Sequence, residues 1–525
     1  LFPYTTLFRS TLFRGGEPDV PDPVRWLAER LPGAGRIGVC GQEISLEQYE
    51  ALTSQVEAVD MLLITTEDLV DKVWKERPGI PGDPVVEIPE ALCGASREEK
   101  LARIRRIARE RYRADVQVIS SLDDIAWILN LRGTDVPYNP LFTAYLIVSG
   151  DTAALFTDER KFSRETADHI RGTVGLYPYA ALFDTLAEVI PAGSRVLLSP
   201  EKSSVELFRR VQELDSVSCV RGAVIASDLK ARKNAVEIAG IRAVHCQDGA
   251  AVTAFMHWFY EAVRSGSRPL DEVVVADTLL DFRKRREGFL RESFATIAAF
   301  GANGALCHYS ADRDSPAEIT AEGLLVLDSG GHYNGGTTDI TRTLYLGTPT
   351  EQQRREYTLV LKGHLALKHQ RFPEGTRGYQ LDVLARKHLW DEGLDYGHGT
   401  GHGIGFMLNV HEGPQVISPK PIDVILQPGM VVSDEPGIYR EGAFGIRIEN
   451  LLVIIEDEVT EFGRFLAFGD LTRVPYERDL IETGLLSERE IAWINAYHQQ
   501  VVADIGDLLN REERAWLEKK CAPLP

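Results

Sequence analysis

The chemistry of this chain is concentrated in four carboxylates and a run of histidines set among glycines. Leu324 to Leu346 reads as two β-like runs joined by Tyr333-Asn334-Gly335-Gly336, a hairpin by its turn residues. Asp328 on the outgoing run and Asp339 on the returning one lie about equally far from the turn, which puts their Cβ atoms roughly 4.5 to 8 Å apart. Carboxylates so close repel one another unless something cationic sits between them. Taken alone, this hairpin is also compatible with a solvated pair of acids at a sheet edge. Met430 to Glu435 and Gly445 to Ile455 form a second pair of β runs around Gly437 and Gly442, with Glu435 and Glu449 symmetric about the turn. Their neighbours Val431, Val432, Leu451 and Leu452 indicate burial, where an unpaired charge costs several kcal/mol. Burial calls for a cation. The competing reading is a buried network with Arg447, which shares a strand face with Glu449 by period two.

Between the hairpins runs Gly397-His398-Gly399-Thr400-Gly401-His402-Gly403-Ile404-Gly405, with glycine at every odd position. An extended backbone places His398 and His402 on one face and strips the other of side chains, so that another backbone or a ligand can approach closely. His411 follows in Asn409-Val410-His411-Glu412-Gly413-Pro414. Four carboxylates and one imidazole suit two hard divalent ions that share bridging carboxylates and keep positions for water. So oxygen-rich a set favours Mn²⁺, with Co²⁺ a substitute in vitro and Zn²⁺ less favoured. His169, His245, His257, His332, His364, His369, His388 and His498 are read as satisfied core or surface residues. Cys307 and His308 are adjacent, and neighbours on an extended strand point to opposite faces, so Cys307 is assigned to core packing and not to a nucleophile.

Other chemistries drop out. The chain has no G-x-S-x-G elbow, no G-x-x-x-x-G-K-[ST] phosphate loop, no G-x-G-x-x-G fingerprint and no H-E-x-x-H helix. With 58 Lys+Arg against 78 Asp+Glu, the formal net charge of -20 repels phosphate backbones and anionic headgroups. Its apolar runs, such as Leu451 to Ile455, are strand-sized, and none approaches the ~20 residues of a membrane helix. Neither a nucleic acid nor a membrane is expected as partner. The 6 cysteines lie far apart without a CxxC pair, as free thiols of a reducing, cytoplasmic compartment do.

The elements that must position these residues fall into several units, since 525 residues exceed one ordinary domain. Thr6-Leu7-Phe8-Arg9 recurs at once as Thr11-Leu12-Phe13-Arg14, an echo read as a cloning or assembly scar, and residues 1–16 are set aside as a non-native or disordered leader. Residues 17–95 alternate helical patterns (Pro23 to Leu31, Ser45 to Val56) with short apolar runs (Arg36 to Cys40, Met61 to Ile64) and end in a Pro/Gly-rich linker. Residues 96–228 form a second α/β unit. Ser96 with Glu99, and Ser121 with Asp124, give capping boxes, and Val116 to Ser120, Ala144 to Ser149, Ala153 to Phe156 and Arg195 to Ser199 read as strands. Residues 229–525 open with a long amphipathic helix from Asn234 to Val263, then turn strand- and glycine-rich. They close in a helical extension over about 480–525, where Ser487 with Glu490 and Asn510 with Glu513 cap two helices. The stripe Ile491, Ile494, Val501, Ile505 and Leu508 is structural, with an oligomer contact as a second use.

Asp328-Ser-Gly, Asp339-Ile-Thr-Arg, His402-Gly-Ile-Gly, Glu435-Pro-Gly and Arg447-Ile-Glu449-Asn together resemble, in order, the five-ligand signature of the metallopeptidases that include aminopeptidase P, prolidase and methionine aminopeptidase. Asn130-Leu-Arg-Gly-Thr-Asp135, Asn303-Gly-Ala-Leu-Cys-His308-Tyr309 and His398-Gly-Thr-Gly-His402-Gly are similar to the three-domain, cytosolic Xaa-Pro aminopeptidase branch. The resemblance implies an α+β fold, a pita-bread catalytic domain of two pseudo-symmetric halves preceded by creatinase-like α/β domains. Only the second half of the first such domain is recognised before Ser96, so that domain is expected to be truncated, with an unpaired sheet edge. The resemblance further implies that Asp339 and Glu449 bridge two metals, that His402 and Glu435 complete one site and Asp328 the other, and that Glu435 doubles as general base. It gives His308, His398 and His411 supporting roles: stabilising the tetrahedral intermediate, walling the proline pocket and protonating the leaving nitrogen. The implied reaction removes the N-terminal residue from peptides with proline second, by a homodimer formed through the catalytic domain. Prolidase, cutting only Xaa-Pro dipeptides, is the nearest alternative. A metal-free peptide-binding module of the same fold is another, set against the presence of all five ligands.

Overall fold

The computed structural model describes Phe13, Gly15 and residues 20–31, 35–266 and 269–525. Apart from Phe13 and Gly15, the leader expected over residues 1–16 and its tandem echo lie outside the described residues. The chain then builds a small βαβ piece. Strands Arg36–Cys40 and Leu62–Thr66 pair in parallel, and helix Leu46–Glu57 crosses between them behind a Ser45/Gln48 capping box. This piece docks on the second α/β unit: Leu46 N donates to Ser203 O and Val205 N to Ile44 O, each at 3.0 Å.

That second unit is a six-stranded mixed sheet in the order Ser218–Arg221, Arg195–Leu198, Val116–Ile119, Tyr145–Val148, Ala153–Thr157, Gly175–Pro178. The Val116–Ile119 strand, buried throughout, pairs parallel on one side and antiparallel on the other. Ser96 and Glu99 close the expected capping box of helix Arg97–Ile107, which lays Leu101 and Ile104 into the core. The second expected box does not form. Asp124 is buried, and its carboxylate accepts from the Ser121 and Ser227 hydroxyls while Lys230 approaches to 3.6 Å, so the Ser121 oxygen is not offered to the helix N-terminus. A buried cation outcompetes a cap here, and that pairing spans more than a hundred positions of sequence.

The remaining residues form two similar halves. Helices Ala235–Ser265 and Glu272–Lys284 back a sheet of Ile297–Phe300, Gly323–Ser329 and Ile340–Leu346. Helices Glu351–Lys368 and Gly378–Trp390 back a larger sheet built on Val431–Asp434 and Asn450–Thr460, with Gly401–Gly403 and Glu412–Ile417 at one side. This is the expected α+β arrangement of paired halves, with the acidic hairpins facing each other across the middle. The terminal helices Glu488–Ile505 and Arg511–Lys520 turn their stripe inward: Ile494, Tyr497, Val501, Ile505 and Leu517 are buried with Tyr357 and Tyr476 in one core. The stripe is therefore used within the chain. All 6 cysteines are free, and among the described residues no helix is long and apolar enough to cross a membrane.

Candidate active site

The first hairpin pairs Gly323–Ser329 with Ile340–Leu346, and Asp328 stands opposite Thr341. The ladder continues past the loop, where His332 faces Thr337 and Tyr333 faces Gly336, so the turn falls at the expected Asn334-Gly335. Asp339 precedes the return strand and is thus a diagonal, not a direct, partner of Asp328. In the second hairpin Asp434 pairs with Asn450 and Gly437 with Arg447, which leaves Glu435 and Glu449 facing each other between the two ladders. The halves are tied where the acids meet. Glu449 N donates to Thr341 O at 3.1 Å and the Thr341 hydroxyl to Glu449 Oε2 at 2.8 Å, while within the second half Glu435 N donates to Thr400 O at 2.8 Å.

His402 sits on strand Gly401–Gly403, and the glycines beside it are required by contact. A Cβ on Gly401 would lie 2.0 Å from Ser433 O, and one on Gly403 would lie 2.1 Å from Glu412 O. The His402 Nδ1 faces Gly403 O at 3.0 Å; a carbonyl only accepts, so Nδ1 carries the proton. Its Nε2 lone pair then points at Asp339 Oδ2 and Glu435 Oε1, 3.5 and 3.4 Å away. Asp339, His402 and Glu449 each bring one ligand atom within 4.8 Å of the others.

The acids converge on a cavity of about 330 Å³. Asp328, Asp339, Glu435 and Glu449 line it, with Arg447 the single guanidinium among the described lining residues. Arg447 does not join Glu449 in the network that strand periodicity allowed; its Nη2 donates to Asp328 Oδ2 at 2.7 Å and its Nη1 to Tyr439 Oη at 2.9 Å. One guanidinium cannot neutralise four carboxylates. Burial first, and then the neighbouring Asp328 and Glu435, push Asp339 well above the usual carboxylate range. Burial together with Asp339 and Glu435 does the same to Glu449, and burial raises Glu435 against the opposing pull of His402. Asp328 Oδ1, Asp339 Oδ1 and Glu449 Oε1 are buried without a hydrogen-bond partner. Three orphaned oxygens beside an imidazole lone pair fit hard divalent cations, the donor set expected from the residue types.

Three further histidines border the cavity. His398 gives Nδ1–H to Gly399 O and accepts at Nε2 from the Tyr439 hydroxyl, both at 2.8 Å, and burial lowers its pKa to about 4. His411 meets the His402 ring edge to face with centroids 4.3 Å apart, and burial, with His402 beside it, lowers its pKa to about 4. His308 is exposed at the rim. It stands in a turn after the 3-10 segment Gly301–Ala305, not on an extended strand, so the expectation for Cys307 is corrected: its half-buried thiol lines the cavity. The turn is folded by Glu272, fully buried, which accepts from Phe300 N, Asn303 Nδ2 and the Tyr309 hydroxyl at 2.7, 3.0 and 2.6 Å.

Sequence reasoning passed over Glu272 and Tyr439. Tyr439 had a local signal, its place two residues beyond Gly437 on the inner face of the second hairpin. Glu272 had none, since its partners lie about thirty positions away.

Known proteins are similar to this chain over 98% of its length. Residues 239–456 match the family model described as metallopeptidase family M24, 76–237 a creatinase/prolidase N-terminal domain, and 464–524 the C-terminal region of peptidase M24. The chain is 41% identical to a probable Xaa-Pro aminopeptidase P of Fusarium vanettenii, over 98% of this chain and 86% of that protein. The crystal structure of the X-prolyl aminopeptidase of Caenorhabditis elegans, described as a cytosolic enzyme with a di-nuclear active site, superposes with a TM-score of 0.91 at 33% identity, covering 98% of this chain and 85% of that one. The Xaa-Pro dipeptidase of Bacillus anthracis reaches a TM-score of 0.57 at 26% identity over 73% of this chain and 99% of its own.

Proposed function

This chain belongs to metallopeptidase family M24, and from that premise we propose that it releases the N-terminal residue from peptides with proline second, using two divalent cations held by Asp328, Asp339, His402, Glu435 and Glu449. The observation that carries the reading is the cavity itself, three buried carboxylates and the half-buried Glu435, with three partnerless oxygens around one imidazole. Asp339 and Glu449 would be shared by the two ions, with His402 and Glu435 holding one and Asp328 the other. Bound there, the cations would polarise the scissile carbonyl and bring the pKa of a bound water towards neutrality. Mn²⁺ suits the oxygen-rich set best, with Co²⁺ or Zn²⁺ as substitutes.

The chain's own residues do the rest. Glu435, raised by burial and opposite Glu449, takes the proton of the attacking water. His411, neutral at rest, relays to the leaving nitrogen the proton that Glu435 takes from the water, because a secondary amine anion cannot depart near neutral pH. His308 steadies the oxyanion from the rim. His398, fixed by Tyr439, walls the pocket for a pyrrolidine ring whose nitrogen has no N–H to offer. Along the chain we divide these tasks among residues 17–95, 96–228 and 229–525, the last with its helical extension, and place the enzyme in the cytosol as a homodimer through the catalytic domain.

The long aminopeptidase relative supports this reading over prolidase, since likeness to the dipeptidase covers a smaller share of the chain. The test compares Xaa-Pro-Xaa, Xaa-Pro and Xaa-Ala-Xaa with Mn²⁺-loaded protein. The proline tripeptide is expected to be cut best, and a chelator to stop the reaction. Preference for the dipeptide would make this a prolidase, and indifference to proline would remove the specificity.

A further inference from the structure

His411 reaches the cavity on a loop that the preceding α/β unit holds in place. Residues 404–411 leave strand Gly401–Gly403, and Glu412–Ile417 returns antiparallel to it, with Gly403 paired to Glu412. Midway, Leu408 is fully buried and belongs to the same core as Leu101, Ile104 and Trp127 of the six-stranded unit. Arg132, itself buried in that unit, donates from Nη2 to Phe406 O at 2.9 Å and from Nε to Met407 O at 2.5 Å. Met407 has a φ of +50°, a left-handed conformation that a side-chain-bearing residue keeps only where its surroundings over-determine it.

The far end of the loop is clamped as well. Glu412 points away from the cavity as His411 points into it, the alternation a strand imposes. Lys233 meets Glu412 Oε1 and Lys230 meets Oε2, each at 3.0 Å, and all three side chains are buried. Lys230 also holds Asp123 at 2.5 Å, in the first turn of helix Leu122–Leu129, so the cluster is rooted in the same unit as Arg132. A Cβ on Gly405 would come within 2.7 Å of Glu412 Oε2, so the loop glycine makes room for the clamp. None of Arg132, Lys230, Lys233 and Glu412 lines the cavity.

We propose that Arg132 and the Lys230–Glu412–Lys233 cluster are positioning residues for His411, so that the six-stranded unit acts in the proton transfer without touching the substrate. Each irregular residue left free would regain backbone entropy, and a proton donor displaced by an ångström loses much of its rate. The proposal rests on the reading of His411 as proton donor.

The test uses the full chain, Mn²⁺-loaded, with kcat, KM and bound metal measured on an Xaa-Pro-Xaa peptide. Arg132→Met should lower kcat by roughly 10 to 100-fold with KM and metal content unchanged. Arg132→Lys should fall between, because an ammonium cannot serve two carbonyls as a planar fork does. The decisive variant is the double one: His411→Ala with Arg132→Met should be no slower than His411→Ala alone, since both act through one group. Losses that multiply, or an unchanged kcat in Arg132→Met beside a slow His411→Ala, would overturn the proposal. A His411→Ala enzyme of normal kcat would instead remove the proton-donor reading and the proposal with it. Should Arg132→Met fail to fold, Glu412→Gln keeps the volume of the clamp and carries the same single and double comparisons.

Discussion

Asp248 and Asp339 are both buried carboxylates of the catalytic unit, and the protein treats them in opposite ways. Asp248 accepts from Arg283 Nε, the Tyr333 hydroxyl and the Thr338 hydroxyl, each at 2.7 Å. Burial works to raise its pKa, yet Arg283 and these donors hold it below the ordinary carboxylate value. Asp339, next in sequence to one of those donors, keeps Oδ1 without a partner and is pushed well above that value. The fold can neutralise a buried acid where the acid is structural. At Asp339 it leaves an oxygen without a partner, as a ligand for a cation from outside the chain requires, and that contrast tells these two positions apart where burial alone does not.

Asparagine at the two positions should therefore act on different quantities. Asp339→Asn is expected to take Xaa-Pro-Xaa turnover to background, the largest effect, while the metal-free variant melts higher than metal-free wild type. The sign follows from the raised folded pKa: such a group contributes most below its unfolded value near 4 and costs stability as pH rises towards 7. A metal-free Asp339→Asn that melts lower would break the comparison.

Next in size are the helpers. His308→Ala and His411→Ala should each lose turnover by roughly 10² to 10⁴-fold while keeping their metal. Metal lost from either variant would make that histidine a ligand. Asp248→Asn should be the mirror image of Asp339→Asn, retaining the ligands but losing about 3 to 5 kcal/mol of stability by stranding Arg283. Denaturant melts of the metal-loaded protein would measure it, and a loss below about 1 kcal/mol would show that the Asp248 network is not the scaffold claimed.

The smallest effect is one of pH. Burial depresses His332 and His498 to about 3, so both stay neutral in the fold. Unfolded, each titrates near 6.5, and the folded state binds fewer protons below that value. Stability from these two is complete above about pH 6.5 and erodes as pH falls towards 3, each by at most about 1.4 kcal/mol per pH unit. His332→Gln should flatten the slope of urea midpoints between pH 7 and 5, and an unchanged slope would locate the titration elsewhere.

The parts legible beforehand share one property, that their determinants lie close together in the chain. Glu435 and Glu449 are symmetric about their turn and Ser96 and Glu99 are one helical turn apart; each is a local pattern with one geometric outcome. The glycine-alternating run is extended only over Gly401–Gly403 and bends at His398, although both histidines reach the cavity. The misreadings arose where a distant partner intervened. Ser121 serves Asp124 instead of its helix because Lys230 draws that acid inward, and Cys307 lines the cavity because Glu272 folds its turn; the competing Arg447–Glu449 network is absent because Arg447 reaches across the halves to Asp328. Burial of Glu412 between two lysines is likewise a product of packing, and no spacing in the sequence announces it.

Metal stoichiometry is the most direct test of the central claim that the partnerless hairpin oxygens are metal ligands. Elemental analysis after Mn²⁺ loading should find two ions per chain in wild type, one in His402→Ala and none in Asp339→Asn, because of those two residues only Asp339 is proposed to hold both ions. No more than one tightly held ion in wild type, or equal occupancy in the two variants, would contradict the account.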